Sequence, residues 1–457
     1  MNFDYQKMAS KFGYSFLSNP NYLVLLAVFN VAILLAFQSM LWKNPVLFVV
    51  FFSSVLLSFL NYKFWWATIL NVILSFYLLA SNFPRQANHA NVEFFIEIAI
   101  LLILLFKIFD PKLKISGNLL GYLFRVFVVT FYFYTGFHKL NTAFFNPCVS
   151  CVNEVNEYIL GSFIGHKISL SVGLSLFFQY ATLFIEMILP FGLLWHQTRK
   201  YTAIVLVFFH FYLNFAVYAD FSGLAGFLIL GCVLDFESTS IKKQPINALK
   251  IYLFFSMSAL ILKLILMKMH VKLFYLDFIF GAFFNIGWMI FFYIIFKNYE
   301  EKMYHFHKKH LLIMTICIVA TSCWTLKTYI GLGNAGNFTM FSNLMTEKSR
   351  SNHLIIDTKK TKLFDFEEDN VLILKLHDTL KKGKLENYRL PLIEFKYFSK
   401  KWCDRYPKLQ INATIVYKKD TLVIPDLRKT EFATTKWWYR YVFFRKIQVE
   451  GANECYW

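Results

Sequence analysis

The chain has 457 residues, of which 57% are hydrophobic and 20% aromatic, with only 16% charged. Soluble domains carry about a quarter charged residues, so a wholly soluble globular protein is excluded. The formal net charge of +19 comes with lysines flanking apolar runs, which is a membrane-anchoring pattern and not a nucleic-acid stripe.

In chain order, the N-terminal stretch "MNFDYQKMASKFGYSF" has no apolar core and no small-residue cleavage site, so it does not read as a secretory signal. About twenty apolar residues are needed to cross the hydrocarbon layer. Windows of that kind fall near 22–41, 46–62, 64–81, 93–109, 119–137, 170–195, 201–219, 222–235, 249–267, 273–296 and 310–330. The expected fold is an all-α polytopic membrane bundle of about eleven spans with a small C-terminal α+β extramembrane domain. Alternating the spans puts Lys7, Lys11, Lys112, Lys114, Lys242 and Lys243 on one side, which is richer in basic residues than the other. That side is expected to be cytoplasmic, and it includes the N-terminus. An odd span count then places the C-terminal domain outside.

"GLGNAGN", residues 331–337, closes the last span, so the boundaries are 1–330 for the helical domain and 331–457 for the C-terminal one. In the latter, "HLIID" and "VLILKLHDT" predict strands. "LPLIEFKYFSKKWCDRYP" predicts a helix, and "QINATIVYKKDTLVIPD" two strands about a Lys-Lys-Asp turn.

Ionisable residues inside spans are costly and point to function or pairing. Arg125 and Glu186 stand at similar expected depths and are read as a structural ion pair. A second set faces the outer side: Lys139 ends the fifth span, Asn88 and His89 precede the fourth, Glu93 and Glu97 share one face of it, and Asp220 ends the seventh. His210 lies near mid-membrane. Each has a plainer role open to it: Lys139 can snorkel, Glu93 and Glu97 can favour a helix N-terminus, and His89 and His210 can be structural. A partly desolvated Lys139 would instead be a general base. The seven cysteines include Cys148 and Cys151, which can pair locally, or one of them can bond Cys403 or Cys455. No second pair follows at zinc spacing, so no metal site is expected. No inverted repeat favours a transporter.

"YFYTGFHKLN" with the following "FFNP" and "VSC", "NH" at Asn88–His89, and "MFSNLMTEKSRSNHLII" at residues 340–356 together resemble the HTTM family, whose known enzyme is vitamin K-dependent γ-carboxylase. The resemblance spans roughly residues 20–360. It implies that Lys139 is the base and His89, in the Asn88–His89 motif, a supporting imidazole; Asn88 and, from their place in or at the ends of spans, Glu93, Glu97, His210 and Asp220 are the binding candidates. It also implies a reduced quinone such as vitamin K hydroquinone as co-substrate, with O2 and CO2. A glutamate-type peptide or secreted protein would be the acceptor. A non-catalytic quinone- or lipid-binding membrane protein is the rival expectation. The stretch here after the last span is short for the protein-binding part of such an enzyme.

Overall fold

The computed structural model describes residues 44–60, 65–109, 117–216, 219–234, 243–271, 273–297 and 308–452, together with 25, 28, 29, 32–34, 37, 41, 299 and 455. It is mostly helical. The helices of the first part are α1 (Pro45–Leu60), α2 (Trp65–Asn82), α3 (Asn88–Phe109), α4 (Gly117–Phe137), α5 (Cys151–Ile164), α6 (Val172–Leu183), α7 (His196–Leu213), α8 (Ala219–Val233), α9 (Lys243–Lys268), α10 (Leu273–Lys297) and α11 (Lys308–Leu326). Among the described residues five helices are long and apolar enough to cross a membrane: Leu119–Phe137, Val172–Leu193, Lys250–Lys268, Ile279–Lys297 and Leu311–Ile330. Shorter apolar helices occupy Pro45–Leu57, Leu70–Asn82 and Gly223–Val233. The expected eleven spans are therefore not reached among these residues. The first window lies largely outside them. The fourth and seventh are helical; the fourth carries Glu93, Glu97 and Lys107, and the helix that holds the seventh begins before it with Arg199 and Lys200 and carries His210 within it.

α4 is the central helix, packed against α8, α11 and the distal part of α6. Most of it is buried, Leu120, Phe124, Val128 and Phe131 among the buried residues, while Tyr122, Val126, Phe133 and Phe137 are half-buried. A helix apolar all round belongs in a core or a membrane. α6 is different, because beyond Leu183 its ladder changes. Residues Phe184–Ile188 form a π turn and Leu189–Leu193 a 3-10 turn. Pro190 explains the break: it has no N–H, and its ring clashes with the carbonyl four residues back. That carbonyl belongs to Glu186.

The C-terminal unit has a five-stranded antiparallel sheet in the order β4-β3-β1-β2-β5. Its strands are β1 (Asn370–Leu376), β2 (Tyr388–Pro391), β3 (Ala413–Tyr417), β4 (Asp420–Ile424) and β5 (Ile447–Gln448), and α12 (Leu392–Arg405) packs beside them. Val371 and Ile373, then Ala413 and Ile415, are buried at the two-residue period of a strand. Phe395, Ser399 and Cys403 recur every four residues on the buried face of α12. β3 and β4 close about Lys418 and Lys419, with φ of 51° and 74°, the pair of left-handed residues that a two-residue hairpin turn needs to match strand twist.

One expectation changes here. "HLIID" is not a strand: His353 makes only an isolated bridge to Asn141. The glycine-rich stretch at 331–337 is packed against the helices. Phe338 and Met340 belong to the helical core, whereas the C-terminal core is built from residues between Val371 and Phe432. Gly336 has a positive φ, and a Cβ there would meet the Pro84 carbonyl at 2.8 Å and the Asn91 amide at 2.9 Å. The Asn91 amide in turn donates to the Gly336 carbonyl at 2.8 Å.

One ion pair ties the two parts together. Arg85, in the turn after α2, donates both guanidinium arms to Glu394 of α12, at 2.5 and 3.0 Å. It also reaches the Arg440, Tyr439 and Val442 carbonyls, and the guanidinium lies 3.6 Å from the Tyr397 ring centroid. Planar forked geometry makes arginine the residue for such a site. Arg85→Ala is expected to cost about 3–5 kcal/mol by leaving Glu394 as a buried unpaired charge. Unfolding in detergent checks this, and Arg85→Met combined with Glu394→Leu should recover most of the loss.

Candidate functional site

The site begins where α4 ends. Gly136 lets α4 and α6 approach closely: a Cβ there would sit 2.3 Å from Met187 Cγ and 3.2 Å from Glu186 Cβ. One turn further, Lys139 is buried. Its Nζ donates to Glu186 Oε2 at 2.7 Å, to the Thr135 carbonyl at 3.3 Å and to the Met340 carbonyl at 3.3 Å. Three acceptors match the three N–H donors of an ammonium group. The side chains of the pair are 1% and 12% exposed, so the Coulomb attraction is little screened. The π turn supplies Glu186, and such turns often mark functional positions.

The strap of residues 331–356 closes over this corner. Asn141 donates to the His138 carbonyl at 2.9 Å and to the Ser342 carbonyl at 2.5 Å, while its Oδ1 accepts from Phe144 N at 2.9 Å. Leu354 N donates to the Leu140 carbonyl at 2.8 Å, and Thr142 N to the Asn352 carbonyl at 3.0 Å. Asn343 bonds the start of α5 through Cys151 N at 2.9 Å. Asn88 accepts from Phe338 N at 2.8 Å, two residues before the carbonyl that receives Lys139.

Lys139 and Glu186 form part of the wall of a cavity of about 280 Å³ between α5, α6 and α7. The remaining lining is mainly apolar: Val152, Val155, Phe177, Phe178, Ile185, Phe209, Leu213 and Phe341, with Asn156, Thr182 and Tyr212 as its other polar members. Tyr212 donates to Asn156 Oδ1 at 2.7 Å. Phe177 is 63% exposed on the outer face of α6, so the cavity reaches the surface that this apolar helix presents outward. An apolar cavity of about 150 Å³ takes a benzene ring; this one has room for a two-ring aromatic head group.

The other sequence candidates lie elsewhere. None of Asn88, His89, Glu93, Glu97 and His210 lines the cavity among the described residues. His89 is half-buried in the first turn of α3 and is not among the partners of Lys139. Glu93 is fully buried, and Glu97 accepts from Ser75 at 2.7 Å. His210 Nε2 is bonded to the Tyr132 hydroxyl. The side chain of Asp220 lies outside the described residues. The expected Arg125–Glu186 pair does not form, because Glu186 is taken by Lys139. Arg125 lies eleven residues before Gly136 on α4, roughly 16 Å along a helix axis; its Nε donates to the Cys232 carbonyl at 3.0 Å. Cys148 and Cys151 do not pair with each other either. Cys151 is bonded to Cys455, their Cα atoms 5.3 Å apart, and the Cys148 thiol is free and exposed. No metal-binding group of His, Cys, Asp and Glu occurs among the described residues.

Glu186 as the partner of Lys139 was not legible in the sequence, and neither was the supporting strap network. Pro190 four residues after Glu186, and Gly136 three before Lys139, were the available signals. His353 was missed as well. Its Nδ1 accepts from Ile355 N and Ile356 N, at 3.2 and 3.0 Å, and its Nε2 faces the Phe137 carbonyl at 3.0 Å. This fixes a neutral ring with the proton on Nε2, and burial lowers its pKa accordingly. No family model, curated protein or solved structure matches the chain.

Two outcomes are expected. Peptide mapping without reduction, after alkylation of the intact protein, should find Cys151 joined to Cys455 and Cys148 alkylated. The second concerns Glu367, which holds the strap through Asn334 at 2.5 Å and Thr346 at 2.8 Å and pairs with Lys362 at 2.6 Å. Burial, and then the Glu347 charge, raise its pKa from 4.5 to about 7. A raised folded-state pKa contributes stability that is complete below the unfolded value and lost as pH rises through the folded one. Thermal stability in detergent should therefore fall between pH 4.5 and about 7, and Glu367→Gln should flatten that window.

Proposed function

We propose that the chain is a membrane-integral enzyme of the γ-carboxylase type. It takes a reduced quinone from the lipid into the cavity beside Lys139 and couples its oxygenation and epoxidation to carboxylation of a glutamate-type substrate. The observation that carries this reading is the buried Lys139–Glu186 pair in the wall of a mainly apolar cavity that reaches the outward face of α6. Such a wall excludes water and suits a flat lipophilic substrate.

The proton chemistry follows from the pair. A proton passes from Lys139 to Glu186, giving an amine and a carboxylic acid with no change of net charge. The amine accepts the proton of a quinol hydroxyl. The substrate oxygen is left as an anion beside the re-formed ammonium, and Glu186 keeps the displaced proton. Deprotonation activates the quinol toward O2. Uptake of CO2 by the glutamate carbon, and a supporting part for His89, rest on the resemblance of the sequence motifs.

The reading includes about eleven spans, a cytoplasmic N-terminus and an extracytoplasmic C-terminal domain. The Cys151–Cys455 disulfide supports that side for the domain, since disulfides persist in oxidising compartments. One observation favours a non-catalytic quinone- or lipid-binding protein instead: every N–H of Lys139 already has an acceptor, as in a purely structural pair.

Purified protein supplied with vitamin K hydroquinone, O2, labelled bicarbonate and a glutamate-containing peptide separates the two. Turnover should yield epoxide and fixed label. Glu186→Gln should slow epoxidation about 10²-fold or more. Lys139→Met combined with Glu186→Gln, which leaves no buried charge, should abolish it while the protein still folds. Quinone retained without epoxide by the wild-type protein would establish the binder.

A further inference from the structure

The C-terminal unit carries exposed apolar side chains at positions tied to helix ends. Leu354 and Ile355 are 57% and 68% exposed, and Leu354 N is bonded to the Leu140 carbonyl just beyond α4. Leu363 and Phe364 are 75% and 39% exposed; their N–H groups donate to the Ile330 carbonyl, where the α11 span ends. Trp437 and Tyr441 are 82% and 46% exposed. Between them, Arg440 donates to the Ser81 and Phe83 carbonyls at the end of α2. The second and third segments are continuous, because Phe364 stacks on Phe366 at 5.6 Å and Phe366 contacts Trp438 at 5.7 Å. Exposed Lys359, Lys360 and Lys436 stand among these apolar groups.

We infer that these three segments form a collar with which the C-terminal unit rests on the phospholipid headgroup layer. The collar lies where α2, α4 and α11 end, and a helix that crosses a bilayer ends at its interface. Tryptophan and tyrosine prefer that depth because they have an apolar body and a polar tip. Lysines among them reach lipid phosphates while their stems lie on apolar surface. A soluble face would not leave Trp437, Leu363 and Ile355 exposed together around helix ends. The collar places Lys139 and the cavity close to the interface, so a quinol would present its polar head at the level where it already lies in the membrane. This inference rests on the membrane reading of the helices.

The test uses the full chain in nanodiscs with Cys148 and Cys323 changed to Ser. An environment-sensitive fluorophore is attached through Trp437→Cys, through Ile261→Cys on an exposed face of α9, or through Lys419→Cys in the hairpin turn at the sheet edge away from β5. The label at 437 should be quenched by lipids bearing a nitroxide near the headgroup and protected from aqueous iodide. The label at 419 should show the reverse. Changing Lys359, Lys360 and Lys436 to Glu should weaken lipid quenching at 437 about twofold or more. Iodide quenching at 437 without lipid quenching would overturn the collar. Protection from both quenchers would also overturn it, by showing that a protein covers the patch. If the label at 261 were not quenched by lipid either, the membrane reading itself would fall, which distinguishes the two failures.

Discussion

An ammonium group withdrawn from water must find an acceptor for each of its N–H bonds, and Lys139 draws on three parts of the chain to do so. Thr135 comes from its own helix, Glu186 from α6 and Met340 from the strap after α11. Each donor–acceptor contact sets a condition elsewhere. The carboxylate requires α4 and α6 to touch, which Gly136 permits. The Met340 carbonyl requires the strap to fold back over the helix ends, where Asn88, Asn91 and Asn141 hold it. Burying one charge thus organises a corner of the protein, because leaving any partner out would cost several kcal/mol.

The same constraint shapes the cavity. A carboxylate and an ammonium side by side carry no net charge, so they can stand in an apolar wall at a cost that an isolated charge could not bear. They keep the ability to exchange a proton. An apolar enclosure strengthens the field each exerts on anything that binds beside them. The site therefore joins a stabilised pair to a space in which a hydroxyl would feel it strongly. Elsewhere in the wall the Tyr212 hydroxyl is taken by Asn156, and most of the remaining lining is apolar.

Arg85 and Glu394 do for the whole molecule what Lys139 and Glu186 do for the site. Both join segments far apart in the chain, and both are buried arrangements that bind a helix end to a partner. The Cys151–Cys455 disulfide adds a covalent link between the start of α5 and the C-terminal tail. The sheet and α12 hold their own core, yet these contacts seat that unit on the helix ends. The strap between 331 and 356 belongs with the helices as much as with the domain that follows.

Sequence by itself determined the local features. Apolar runs of sufficient length require helices, as at α4 and α11, because a backbone in an apolar medium must satisfy its own hydrogen bonds. Apolar runs bounded by turn residues gave the strands β1, β3 and β4, and the near-helical spacing of Leu392, Phe395, Phe398 and Trp402 gave α12. Lys139 stood out because a lysine at the close of an aromatic span is chemically conspicuous. What the tertiary structure decided was partnership. Charge and depth along two spans suggested Arg125 for Glu186, but helix packing brought Lys139 there instead, a full 14 residues further along the chain. Cys148 and Cys151 are close in sequence, yet it is Cys455 that meets Cys151. The reason is the same in each case: a one-dimensional pattern records what a residue needs, while the crossing of helices and the return of distant loops decide which group supplies it.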